Sequence, residues 1–196
     1  AIPEDQITII RNEPFQLKGK SQGNYQLGVA YELQQDGYDL CGCDMLYDDT
    51  VPLGGGLSSS AAIQVATALA LSTIADERAG VSREPDMVYL AKLSQRSEHN
   101  YVGVKCGIMD QFASAMGKKD HAIFLDTADL SFEYAPIKLE GAKIVISCSN
   151  KKRGLGDSKY NERRAECEEA LAELQKVVDI KSLGELSEEQ FEEYKG

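Results

Sequence analysis

Three stretches of this sequence hold residue types that could do chemistry together. The first is Pro52-Leu53-Gly54-Gly55-Gly56-Leu57-Ser58-Ser59-Ser60-Ala61-Ala62. Consecutive glycines allow positive φ and a close backbone approach to a ligand. The serines then open an apolar helix, whose first-turn N–H groups and macrodipole make an anion site. Their hydroxyls add donors, and one can ligate a metal. A glycine turn followed by a serine N-cap accounts for the same residues without any ligand, and both readings stand at this point. The loop lacks the Gly-Lys-Ser/Thr ending of a Walker P-loop. It is not a dinucleotide fingerprint either, because Ser59 occupies the place of the third glycine after Gly54 and Gly56.

The other two stretches supply carboxylates. Glu98 falls on the apolar face of a predicted helix, eleven residues or three turns after Met87. An inward carboxylate needs either a salt-bridge partner or a bound cation. Asp110 lies in Cys106-Gly107-Ile108-Met109-Asp110-Gln111-Phe112. Its apolar neighbours can exclude water and tune it for base work, or it can serve as the N-cap of a short helix through Met116. A phosphate-binding helix start with two carboxylates fits metal-assisted phosphoryl transfer. His99 and His121 are isolated and read as surface or hydrogen-bonded residues. The run from Glu162 to Glu169 reads as a solvated helix face with i,i+4 pairs.

The elements that must position these groups follow from periodicity. A strand is predicted at Gln6 to Ile10 and a helix at Asn24 to Gln35, with Tyr25, Val29 and Leu33 on one face and Gly37 ending it. A short strand is predicted at Cys43 to Tyr47, then a loop from Asp48 to Gly56 and a buried helix from about Leu57 to Ala75. Asp86 to Val102 reads as a helix whose inner face is Met87, Leu90, Ala91, Ser94, Glu98 and Tyr101. His121 to Asp126 and Ser131 to Ile137 form a hairpin pair, and Lys143 to Ser149 a further strand. Ser158 to Val178 is a helix with the stripe Tyr160, Cys167, Leu171, Leu174 and Val178, and a short acidic helix follows Leu186. Strands and helices mixed in this order give an α+β fold in one domain, residues 1–196, rather than a doubly wound sheet.

Composition narrows the partners. The 196 residues carry a net charge of -11, which repels nucleic-acid phosphates and anionic lipid. Any polyphosphate must therefore be held by local geometry against the global field. The apolar stretch from Ala61 to Ile74 is interrupted by Gln64, Thr67, Ser72 and Thr73 and is too short to span a membrane. The five cysteines (Cys41, Cys43, Cys106, Cys148 and Cys167) are odd in number and scattered. They read as reduced thiols of a cytoplasmic protein, with no disulfide framework and no zinc site.

Taken together, these stretches resemble a known family. Pro52 to Ala62 resembles the second motif of the GHMP kinases. Ser97-Glu98-His99 leading to Cys106 through Phe112 is narrower and resembles galactokinases. So do Ser158 to Arg164 with Cys167-Glu168, and Asn24-Tyr25 with Gly28-Val29. The resemblance implies the N-terminal-domain fold of that superfamily. It also implies ATP and galactose as small-molecule substrates and Mg2+ as cofactor. Asp110 would be the base that takes the C1 hydroxyl proton, and Ser60 and Glu98 the metal ligands. Gly54, Gly55, Gly56, Leu57, Ser58, Ser59 and Ser60 would cradle phosphate, while Gly107, Asp110 and Tyr160 would contact sugar.

Galactokinases begin with a motif of arginine, glutamate, histidine and aspartate that grips the sugar, and nothing before Gln6 matches it. A third glycine-rich motif, from a second domain, does not occur by Gly196. The expectation is therefore part of a longer reading frame, inactive alone, with an exposed sheet edge open to self-association. A galactose and ATP sensor without catalysis, or a kinase for N-acetylgalactosamine or arabinose, are the competing readings. The intact Ser58-Ser59-Ser60-Ala61-Ala62 favours an enzyme, and Phe112 after Asp110-Gln111 favours galactose.

Overall fold

Apolar spacing gathers the first helices around one core in the computed structural model, which describes residues 23–52, 55–147 and 160–195. Helix α1 (Asn24–Gln35) contributes Val29 and Leu33, and α2 (Ser59–Arg78) contributes Ala68 and Leu71. Helix α3 (Met87–Ser97) contributes Leu90 and Leu93 to the same cluster. Helix α1 ends where Gly37 takes φ 89° and Tyr38 N–H returns to the Leu33 carbonyl, a glycine C-cap that side-chain-bearing residues adopt with strain. Helix α2 starts two residues later than its apolar run suggests, because Ser58 is left-handed. It runs on to Arg78 before Gly80 turns the chain.

A second cluster lies under the hairpin. Ala91 of α3, Ile108, and Phe112 of α4 (Met109–Met116) pack against Ile123, Leu125, Leu130 and Phe132. Strands β1 (His121–Leu125) and β2 (Phe132–Pro136) are antiparallel, with Ile123 opposite Tyr134 and Leu125 opposite Phe132. The Phe132 ring meets Phe112 edge-on at 5.3 Å, and the Tyr134 hydroxyl donates to the Met116 carbonyl at 2.6 Å. The hairpin is thereby fastened to the helix that carries Asp110. Helices with a small antiparallel sheet give the α+β class expected.

Several local expectations need correction. Cys43 to Tyr47 is not a strand: no described segment pairs with it, and side-chain contacts hold it instead. Met45 packs on the first core, and the Tyr47 hydroxyl lies 2.6 Å from Thr67 Oγ1. Lys143 to Ser147 is likewise not a strand, and Ile144, Val145 and Ile146 stay exposed without a sheet edge among the described residues. The helix expected from Asp86 to Val102 changes type at Glu98. Helix α5 (Tyr160–Leu174) stops before Val178, and Cys167 in its expected stripe is exposed. Its Arg164–Glu168 pair has the expected i,i+4 spacing, while Arg163 pairs with Glu166 at i,i+3. The acidic tail forms α6 (Glu188–Tyr194), started by a capping box of Ser187 and Gln190. The expected strand at Gln6 to Ile10 lies outside the described residues, as do Cys148 and Ser149.

Helix α1 sits unusually close to the end of α3. A Cβ on Gly28 would fall on Ser97 Oγ and within 2.9 Å of Tyr101 Cβ. Alanine gains about 1 kcal/mol of helix propensity over glycine, but an overlap of this kind costs ~1–3 kcal/mol. Gly28→Ala is therefore expected to lower the urea midpoint, with a net loss of up to about 2 kcal/mol. An unchanged or higher midpoint would show that the two helices can part freely.

Candidate active site

The candidate site centres on a change of helix pitch. Asp86 caps α3 through Tyr89 N–H at 2.9 Å, and the helix is regular to Ser97. Residues Glu98–Val102 then form a π-turn. Both Gly103 N–H and Val104 N–H donate to the Glu98 carbonyl, at 2.9 and 3.0 Å, and Gly103 leaves the turn at φ 84°. Such turns are uncommon and recur at functional sites.

The Glu98 side chain is only 6% exposed. Its Oε2 accepts from Gln111 Nε2 at 3.1 Å, and no cation pairs with it among the described residues. Gln64 of α2 lies close enough to favour its charged form, although neither amide atom makes a hydrogen bond of good geometry. Burial, followed by the nearby Asp110 charge, pushes the Glu98 carboxyl up to about 7. The salt-bridge reading of Glu98 is therefore not realised here.

Asp110 is the second residue of α4, while Ile108 occupies the cap position. No hydrogen bond forms to the Asp110 carboxylate among the described residues, so the capping reading is also not realised. The group is half-buried and stands next in sequence to the glutamine that holds Glu98. Cys106 closes the same region. Its carbonyl accepts from Gln95 Nε2 at 3.1 Å and His99 Nε2 at 2.7 Å. Burial and the Glu98 charge push its thiol up to about 11, so it is a neutral thiol and no nucleophile. His99 is occupied with that carbonyl, and His121 with the Lys119 carbonyl at 2.8 Å.

The glycine-rich loop meets this region through α2. Gly55 N–H donates to the Pro52 carbonyl at 3.1 Å, and Gly56 takes φ 76°. Ser58 stands at the N-cap with φ 59°, yet its side chain makes no cap hydrogen bond. A left-handed non-glycine residue is strained, and such strain gathers at functional sites. Among the described residues, no side chain caps the N–H groups of the first turn of α2. Ser60 is four residues before Gln64, so it sits one turn nearer the helix start on the face that meets Glu98. Leu53 and Gly54 lie outside the described residues.

Gly107 is exposed and lines an open groove with Lys92, Gln95, Met109 and the turn at Thr127 to Leu130. Tyr160 is the first residue of α5, and its side chain is outside the described set. Its neighbour Asn161 fixes that helix start to the loop before Asp110. Asn161 Oδ1 accepts from Lys105 N–H at 2.8 Å, and Nδ2 donates to the Gly103 carbonyl at 2.9 Å. The structure thus brings Glu98 and Asp110 together with Gln64 and Gln111, and ties the start of α5 through Asn161 to the Gly103–Lys105 loop. Sequence reasoning assigned no role to Gln64, Gln111 or Asn161. The signal for Gln64 was present, as a lone amide inside an apolar helix.

Known proteins resemble this chain over most of its length. Residues 24–118 match the family described as GHMP kinases N terminal domain. Over 173 residues the chain is 49% identical to the galactokinase of Clostridium acetobutylicum, covering 88% of this chain and 43% of that protein. Over 191 residues it is 46% identical to the galactokinase of Halalkalibacterium halodurans, covering 96% of this chain and 47% of that protein. Among solved structures, Lactococcus lactis galactokinase complexed with galactose superposes with a TM-score of 0.71 at 33% identity. That match covers 93% of this chain and 45% of the other. The chain therefore spans a little under half the length of these relatives.

Proposed function

The chain belongs to the galactokinases of the GHMP kinase superfamily, and on that premise we propose that the intact protein transfers the γ-phosphate of ATP to the C1 hydroxyl of galactose. The observation that carries the proposal is the buried Glu98 carboxylate, which meets the Gln111 amide, the Asp110 charge and Gln64 of α2 but no cation among the described residues. Two neighbouring carboxylates without a basic partner among the described residues favour a cation, and a helix start that no described side chain caps favours phosphate.

In this reading Gly54, Gly55, Gly56, Leu57, Ser58, Ser59 and Ser60 wrap the ATP phosphates, with the first-turn N–H groups as donors. Ser60 and Glu98 hold Mg2+. No group of three or more histidines, cysteines or acids forms a closed metal cage among the described residues. An open set of one hydroxyl and one carboxylate suits Mg2+, which keeps several waters and takes oxygens from substrate phosphates. The ion would supply charge neutralisation on the phosphates being separated. Asp110 accepts the proton of the C1 hydroxyl as its oxygen attacks phosphorus, and Gly107 and Tyr160 bear on the sugar. Freedom from a capping bond leaves the Asp110 carboxylate available for that proton. The products are galactose 1-phosphate and ADP.

An NMR titration of the labelled chain with Mg-ATP tests the phosphate cradle. Amide shifts are expected to be largest at Gly55, Gly56 and Ser58 to Ala61, followed by Glu98 and Gln111. Shifts confined to the acidic tail, with none in this loop, would contradict the assignment. No helix among the described residues is long and apolar enough to cross a membrane.

A further inference from the structure

We infer that Glu32 is a positioning residue for phosphoryl transfer, clamping the π-turn from α1 so that Glu98 stays aimed at Gln111 beside Asp110. The inference rests on the role proposed above for Glu98.

Glu32 is only 3% exposed, and both its carboxylate oxygens are engaged. Oε1 accepts from Asn100 Nδ2 at 2.9 Å, and Oε2 accepts from Arg96 Nε. Arg96 is fixed from its other side, donating through Nη2 to Asp36 Oδ2 at 2.6 Å. The Tyr89 hydroxyl donates to the same Asp36 oxygen at 2.7 Å. One turn before Glu32, Gly28 brings α1 against Ser97 and Tyr101. Helix α1 thus grips Arg96 and Ser97 just before Glu98-His99, and Asn100 and Tyr101 just after. Glu98 itself turns away from this grip, toward Gln64 of α2 and Gln111 of α4.

The geometry explains why such a clamp matters. A π-turn holds one residue more than an α-turn and is the less stable form. Relaxation to regular α-helix would rotate the residues that follow by about 100°. The upstream part of α3 is anchored by the Asp86 cap and by Leu90 and Leu93 in the core. The rotation would therefore fall on the chain after the turn, which leads to Asp110 and Gln111, and would take them out of line with Glu98. Glu32 is buried while the Arg96 side chain is 41% exposed, and the best-attested use of such a charged contact at the edge of a core is fixing a register. Among the described residues, the side-chain partners of Glu32 are Arg96 and Asn100 and none of those assigned to phosphate or sugar, so its effect on the reaction passes through Glu98.

The test uses the intact protein and the variants Glu32→Gln and Asn100→Ala. The glutamine keeps size and one acceptor oxygen but presents an NH2 group to Arg96. Outer-shell changes of this kind lower metal affinity or activity about 10- to 100-fold. Glu32→Gln is expected to raise the half-saturating Mg2+ concentration and lower kcat by about tenfold each, with KM for galactose nearly unchanged. Asn100 is exposed, so Asn100→Ala folds even if Glu32→Gln does not, and it should move the same two quantities in the same direction. Glu98→Ala is measured alongside. If Glu98→Ala retains wild-type turnover, the reading of Glu98 fails and the inference falls with it. If Glu98→Ala is inactive while the clamp variants that fold keep wild-type kcat and Mg2+ half-saturation, the inference alone is overturned, and Glu32 serves only stability.

Discussion

Asp110→Asn is expected to abolish galactose phosphorylation by the intact protein while leaving the fold close to wild-type stability. General-base help is worth ~10²- to 10⁴-fold, and asparagine keeps the size of the side chain without its basicity. Two small effects on folding oppose each other. Removing a negative charge from the first turn of α4 loses about 0.3–1 kcal/mol of helix-dipole interaction. The same change relieves repulsion with the buried Glu98 carboxylate. No hydrogen bond to Asp110 is lost among the described residues. Paired measurements of kcat and the urea midpoint check this. A variant that keeps a tenth or more of wild-type turnover, a loss under about 1.4 kcal/mol of transition-state stabilisation, would remove Asp110 from the role of base.

Glu98→Gln should separate stability from function more sharply. The folded protein holds the Glu98 proton to about pH 7, against 4.5 in the unfolded chain, chiefly because of burial and then because of Asp110. A carboxyl raised in this way stabilises the fold fully below pH 4.5, and that contribution is lost as pH climbs toward 7. By pH 8 the metal-free protein bears a penalty of about 3 kcal/mol. Glutamine cannot ionise, and its carbonyl can still accept from Gln111. The variant is therefore expected to be more stable than wild type at pH 8 in chelator, by up to about 3 kcal/mol, with the difference vanishing near pH 4. Turnover with Mg2+ should fall a hundredfold or more, since a metal ligand carries several kcal/mol of charge stabilisation. Denaturation curves at pH 4, 6 and 8 decide the first half. Equal or lower stability of Glu98→Gln at pH 8 would mean that the carboxylate is already compensated in the fold.

What could be read from the chain divides along the range of the interactions involved. Helix α1 was legible to its ends because Val29, Leu33 and Gly37 are local signals. The hairpin was legible because Ile123, Leu125, Phe132 and Tyr134 alternate across a short turn. Cys43 to Tyr47 and Lys143 to Ser149 alternate too, but a strand needs a partner, and spacing does not say whether one is present. The π-turn left no trace, because one extra residue per turn scarcely changes the apolar pattern from Glu98 to Tyr101. Leu93 and Ser97 were missed on the inner face of α3 although both are fully buried. They belong to the column that faces α1, which periodicity within α3 alone does not reveal. Glu98 was legible as an inward charge. Whether it met a salt bridge or an amide depended on Gln111 and Gln64, which come from two other helices. Asp110 was singled out by its setting, while its exclusion from the cap became visible only when α4 was seen to begin at Met109, two residues before the start that an Asp110 cap would give.

The proposed role of the Glu98–Asp110 pair, reached from the start of α2, is phosphoryl transfer to a sugar hydroxyl. The most direct measurement is phosphorus NMR of the intact protein with Mg-ATP and galactose, run beside the Asp110→Asn variant. A sugar 1-phosphate resonance growing in step with ADP is expected for the wild type, and neither for the variant. Galactose binding without product, or ADP formed with free phosphate in place of the sugar ester, would contradict it.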